Sequence, residues 1–196
     1  MCINESKTKE IVFHRPCPRK YHLSDPIDGI ERVNQIRLLG VIIQDTFSVD
    51  AHVNYVLSVC SQRIFLIKNL RNRGLPVKHL HTIYQALIVS QLLYALPAWG
   101  CYLSAGLIGR IDAFLKRSYK YGLVSTVLTV SELMDNASYV LFVKMQQTGH
   151  CLNDILPNRD EFSVYLRPRG HCFQLPVCFY NLFKNSFLNR CLFKYK

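Results

Sequence analysis

The sequence predicts a mainly α protein with a small β portion at its N-terminal end. Three observations carry this. The runs rich in β-forming residues, 11–14 and 35–44, both fall within the first 46 residues. From Val53 onward the apolar residues recur at three- and four-residue steps. Finally, no Asp, Glu, Lys or Arg occurs from 79 to 109, a run too long and too apolar for a strand. Hydrophobic residues make up 49% of the 196, enough for a packed core.

In chain order, a short strand is expected at 11–14. It follows the N-terminus without a preceding loop, so the chain is expected to begin inside a larger sheet. The segment 15–20 holds Pro16 and Pro18 among three cations and predicts a turn. Asp28-Gly29 is a second turn signal, and the two together suggest a hairpin connection from 10–14 to 35–44. The second run is apolar at nearly every residue from Ile36 apart from Arg37, which predicts one strand buried on both faces.

Ser48 or Asp50 is the expected cap of a helix over 51–72. Val53, Val56, Leu57, Cys60, Ile64 and Ile67 form its apolar stripe. The opposite side carries Asn54, Ser58, Ser61, Gln62, Phe65 and Asn69 and has no charge. Lys68, Arg71 and Arg73 gather in the last turns, where cations suit the helix dipole. Gly74 ends this helix and Pro76 opens the next.

The uncharged run predicts a helix buried between other helices, broken or kinked at Pro97. Tyr84, Tyr94 and Trp99 are expected in the core. Gln85, Ser90, Gln91 and Pro97 argue against a membrane span there. A short helix over 107–121 has a cationic side of Arg110, Lys116, Arg117 and Lys120, and Gly122 closes it. One or two more helices are expected over 129–156, then an irregular and finally aromatic-basic tail.

Lys and Arg outnumber Asp and Glu 24 to 13, a net charge of +11. This balance points to a polyanionic partner, nucleic acid or an acidic membrane surface. The eight cysteines are dispersed without a Cys-x-x-Cys pair, and no secretory leader is apparent. An intracellular chain, nuclear or cytoplasmic, with free and mostly buried thiols is expected. Cys151, His171, Cys172 and Cys178 lack the paired spacing of structural zinc, so no metal site is assigned. No Gly-x-Ser-x-Gly or Gly-rich phosphate loop is present.

The stretch 4–13, with Lys7-Thr8-Lys9, the stretch 36–42, with Leu39-Gly40-Val41, and the helices after them together resemble the C-terminal part of non-LTR (LINE-type) retrotransposon reverse transcriptases. The stretch 4–13 is similar to the segment just downstream of their catalytic carboxylates. The stretch 36–42 is similar to their primer-grip strand. The helices after it, including 83–99 and 110–121, are similar to the thumb. The segments 165–171 and 186–193 are similar to the ends of such reading frames. The resemblance covers nearly the whole chain, and the order and spacing of these segments carry it.

The resemblance implies three parts: a palm remnant with the primer-grip-like strand at 1–46, a helical thumb-like bundle at 47–122 and a C-terminal extension at 123–196. It places Lys7 where the family has a lysine near the incoming triphosphate, and Leu39 and Gly40 in the primer grip. It makes the helix 51–72 a support for a primer–template duplex. Asn54, Ser58, Ser61, Gln62 and Asn69 would lie along its minor groove, while Lys68, Arg71 and Arg73 reach phosphates. The departure is large. The family's Tyr-x-Asp-Asp turn is missing and the chain has no Asp-Asp pair. Those carboxylates hold the metal ions of nucleotidyl transfer. The expectation is therefore a truncated RNA-directed DNA polymerase that binds a duplex, with no catalytic residue, no cofactor of its own and no small-molecule substrate. Mg would enter only with the missing palm carboxylates. The alternatives are a small helical membrane-associated module on 80–106 and a helical protein-interaction module.

Overall fold

The computed structural model describes Asn4 and residues 7–14, 23–159 and 170–196. The turn expected at 15–20, residues 165–169 of the tail and the cysteines at 2 and 17 lie outside the described residues. The described chain is mainly helical, with two small two-stranded sheets ahead of the helices.

The first sheet pairs β1 (Lys9–Glu10) with β2 (Glu31–Arg32) in parallel. The strand expected at 11–14 is not formed, and 10–14 does not pair with 35–44. Two ion pairs accompany this pairing. Arg32 donates to both Glu10 carboxylate oxygens, at 2.9 and 3.1 Å, and Lys9 meets Glu31 at 2.9 Å. The guanidinium holds the Glu10 carboxyl below its usual range. Downstream, Phe13 stacks on Phe47 at 4.4 Å, joining this segment to the helical part.

The run 35–44 is not one buried strand. It folds back on itself as β3 (Gln35–Leu38) and β4 (Val41–Gln44), antiparallel, with Leu38 opposite Val41. The two-residue loop between them has φ of 46° at Leu39 and 86° at Gly40. Positive φ at both central residues is the type I′ pattern, whose hand matches the twist of paired strands. The apolar run is not buried on both faces either: Leu38 is 56% exposed and Leu39 84%. Tyr94 explains how the loop is held. Its hydroxyl donates to the Leu39 carbonyl at 2.8 Å, and its ring lies where a Cβ on Gly40 would meet it at 3.3 Å. Tyr94 is thus a half-exposed clamp on the hairpin and not a core residue, whereas Tyr84 and Trp99 are buried.

β4 leans on helix α1 (Asp50–Asn72). The Ile42 N–H donates to Nδ1 of His52 at 3.3 Å, and the His52 ring meets Trp99 edge-on at 4.9 Å. His52 is 2% exposed, and burial, followed by the nearby Arg37 charge, pushes its pKa below the usual value. Protonation would also destroy the acceptor used by Ile42. A histidine with a depressed folded pKa binds fewer protons in the native than in the unfolded chain. Its contribution is complete above the unfolded value near ~6.5 and is lost as pH falls below it. We expect the melting temperature of the wild type to drop from neutral pH to pH ~5. His52→Asn keeps an acceptor near the same place but cannot titrate, so its pH dependence should be flatter. Parallel pH profiles for the two proteins would remove this role from His52.

The stripe predicted for α1 is buried at Val53, Val56, Cys60, Ile64 and Ile67, with Leu57 half-buried. Its N-cap is Val49 and not the expected Ser48 or Asp50, and Val49 makes no side-chain cap hydrogen bond, although the Asp50 N–H donates to Ser48 Oγ at 3.2 Å just outside the helix. At its end Gly74 takes a φ of 87° and Leu75 N–H reaches back to the Leu70 carbonyl, closing the last turn. The uncharged run follows as α2 (Val77–Tyr84), a π-helical turn over Gln85–Val89, α3 (Ser90–Leu93) and α4 (Leu96–Trp99). Its break falls at Ala95, in the left-handed region at φ 52°, and not at Pro97, which fits the first turn of α4. Arg63 ties α1 to this run through the Leu87 carbonyl at 2.6 Å and Gln91 Oε1 at 3.1 Å.

Helix α5 (Ala105–Lys120) is capped by Ser104. Helix α6 (Val130–Met145) opens on a Thr129–Glu132 capping box, and Asp112 accepts from its Val130 N–H at 2.7 Å. It ends earlier than the helix expected to run to 156, which is a 3-10 turn over Asn153–Ile155 instead. Two short helices, α7 (Asn181–Lys184) and α8 (Phe187–Lys194), close the chain. One buried cluster runs from Val49 to Val130, and a smaller one joins Phe142 of α6 to Phe173, Cys191 and Leu192.

Candidate functional site

Packing of the apolar stripe of α1 against Ile111 and Phe114 of α5 turns the polar side of one helix toward the cationic side of the other. Between them runs a groove of about 770 Å³. Asn54, Leu57, Ser58 and Ser61 line one wall. Arg110, Ala113, Lys116, Arg117 and Lys120 line the other. The spacing explains both walls. Residues 54, 58 and 61 sit one and two turns apart, as do 110, 113, 117 and 120. Their neighbours at 107, 111, 114 and 115 are buried, which fixes the cations outward.

The electrostatics are one-sided. The groove carries four cations and no carboxylate. Asp112, the one acid of α5, caps α6 and is spent there. Among the described residues the ion pairs are Lys9–Glu31, His14–Asp45, Arg32–Glu10 and Lys194–Asp135, and none uses a groove cation. Arg110 is oriented by donating to Asn54 Oδ1 at 2.6 Å. Ser61 donates to the Leu57 carbonyl at 2.7 Å and keeps its lone pairs for a ligand. Positive charge concentrated between low-dielectric walls focuses field on an anion.

The sequence-predicted residues are only partly gathered here. Asn54, Ser58 and Ser61 line the groove, and Gln62 and Asn69 are exposed but do not. Lys68 lies over the Tyr121 ring, 3.3 Å from its centroid, beside a smaller recess that shares Ser61 and Arg117 with the groove. Arg71 donates to the Tyr121 carbonyl, joining the end of α1 to the end of α5, and Arg73 is exposed beyond the helix. Lys7 is exposed ahead of β1, and Leu39 and Gly40 form the hairpin loop. The four cations of α5 were legible as a helix face. That this face stands opposite Asn54, Ser58 and Ser61 is a contact between residues more than fifty apart, which no local pattern reveals.

Compared with protein-family models, curated proteins and solved structures, the chain matches none.

Other chemistries find little support in the side chains. Among the described residues no group of three or more His, Cys, Asp or Glu is placed to hold a metal ion. His171 uses both ring nitrogens internally, Nε2 toward the Leu192 carbonyl at 2.7 Å and Nδ1 accepting from Phe173 N–H at 3.2 Å. The six described cysteines are free, but only Cys60 and Cys191 are buried where most were expected to be; burial pushes those two thiols up to about 11. Such thiols are poor nucleophiles and poor ligands at neutral pH. No helix of the described residues is long and apolar enough to cross a membrane.

Proposed function

We propose that the groove between α1 and α5 holds the sugar-phosphate backbone of a nucleic-acid duplex. In this reading the chain is the primer–template-holding part of a retrotransposon reverse transcriptase, without polymerising chemistry of its own. The observation that carries the binding reading is the pairing of a neutral hydrogen-bonding wall with four cations that make no ion pair among the described residues. Phosphates would sit on Arg110, Lys116, Arg117 and Lys120. Asn54, Ser58 and Ser61 would meet sugar hydroxyls and base edges without demanding a sequence. The resemblance of 4–13, 36–42 and the later helices to LINE-type enzymes supplies the identity of the duplex, an RNA–DNA hybrid or other primer–template.

The test is the affinity of a labelled RNA–DNA hybrid measured across a salt series. Four phosphate contacts predict a log–log slope between about −3 and −4, or roughly a hundredfold loss from 50 to 200 mM salt. An affinity that stays flat across that range would sink the proposal. A second reading, a protein-interaction module, is favoured by the exposed Leu38 and Leu39 of the hairpin. It predicts a partner complex that is insensitive to both salt and competing nucleic acid.

A further inference from the structure

We propose that the recess at the end of the groove takes one unstacked nucleobase from a single-stranded extension of the bound nucleic acid. The inference rests on the groove reading and adds a second ligand element to it. The recess has a volume of about 190 Å³, below the range of pockets for drug-sized ligands and suited to one planar ring system. Its floor is apolar: Ile64 and Phe114 are 7% and 3% exposed. Its rim is aromatic and cationic, with Phe65, Tyr121, Lys68 and Arg117.

Phe65 supplies the open ring at this rim. It stands among the polar residues of α1, is 63% exposed, and among the described residues has no ring partner. Tyr121 is fixed. The Lys68 ammonium covers one face of its ring, and Arg71 holds its carbonyl. A free aromatic face beside two cations and no carboxylate selects a flat, electron-rich ring attached to an anion. This combination of a stacking platform with a basic track is how single strands are held without sequence preference. Continuity supports it as well. Arg117 and Ser61 line both the groove and the recess, so a strand whose phosphates follow α5 arrives there.

The experiment compares a blunt RNA–DNA hybrid with the same hybrid carrying a few unpaired nucleotides on one strand or the other. A fluorescent purine analogue occupies the first unpaired position. For the wild-type chain the extension should tighten binding by roughly tenfold, the scale of base–aromatic stacking, and alter the analogue's emission. Phe65→Ala should lose both effects while binding the blunt hybrid as before. Phe65→Tyr should retain them and Phe65→Leu should not, separating stacking from mere apolar contact. The recess proposal falls if the extension adds nothing, or if Phe65→Ala weakens blunt and extended hybrids equally. If the blunt hybrid fails to bind but the single strand alone binds in a Phe65-dependent way, the recess stands and the duplex groove falls. Absence of binding to every probe removes both.

Discussion

Replacing Lys116 and Arg117 together by alanine is expected to weaken binding of an RNA–DNA hybrid by about a hundredfold at low salt. Each phosphate contact releases close to one counterion, which near 50 mM salt is worth about a factor of ten. Removing two should therefore cost about two factors of ten and flatten the log–log salt slope by about two. Both side chains are exposed, and neither makes an ion pair among the described residues, so stability should change by less than ~0.5 kcal/mol. A variant matched in charge separates site from composition. Lys78 and Lys144 are also exposed but lie outside the groove. Lys78→Ala with Lys144→Ala changes the net charge of +11 by the same amount. If both double variants lose affinity equally, the binding belongs to the overall positive charge and the groove is not a site.

What the sequence revealed followed from periodicity. The stripe of α1 could be read because Val53, Val56, Cys60, Ile64 and Ile67 recur at the helical step and are buried. The end of α1 at Gly74 was likewise local chemistry, whereas the Thr129 cap of α6 was not among the expectations. The hairpin was misread for a reason equally local. A continuous apolar run is the mark of a strand buried on both faces, and Leu39 is a poor signal for a type I′ turn, where Asn or Asp normally precedes Gly. A leucine in the left-handed region costs roughly 1–2 kcal/mol. Here it is offset by a hydroxyl from Tyr94, fifty-five residues away. The groove shows the same division. Each wall lies on one helix and obeys a local rule. Their meeting depends on the tertiary packing of α1 on α5, as in the Arg110–Asn54 bond across fifty-six residues. The π-helical turn at Gln85–Val89 had no counterpart in the pattern at all, because it shifts the apolar phase within an already uncharged run.

That dependence on distant contacts makes Trp99→Ala the substitution with the largest expected effect on stability. Trp99 is 2% exposed and belongs to the main buried cluster. Its indole Nε1 donates to the Tyr94 carbonyl at 2.9 Å, and its ring supports His52, which in turn receives the Ile42 N–H of β4. Truncation leaves a cavity and removes that support, for an expected loss of 3–5 kcal/mol by the usual range for large aromatics, roughly a third to a half of a domain's stability. Trp99→Phe keeps most of the volume and loses the hydrogen bond, so it should cost about 1–2 kcal/mol. Since Trp99 is the only tryptophan, unfolding must be followed by circular dichroism. The alanine midpoint in urea should fall by about 2 M for an m-value near 2 kcal/mol/M. Hydrogen exchange locates the damage. The Ile42 amide should lose protection well before the amides at the centre of α1, because its acceptor is held through Trp99. Trp99 does not line the groove, so hybrid affinity measured far below the unfolding transition should be unchanged. A loss of affinity there would mean that the hairpin and Trp99 position the α1–α5 walls. Uniform loss of protection across α1 would mean that hairpin and helices open as one unit.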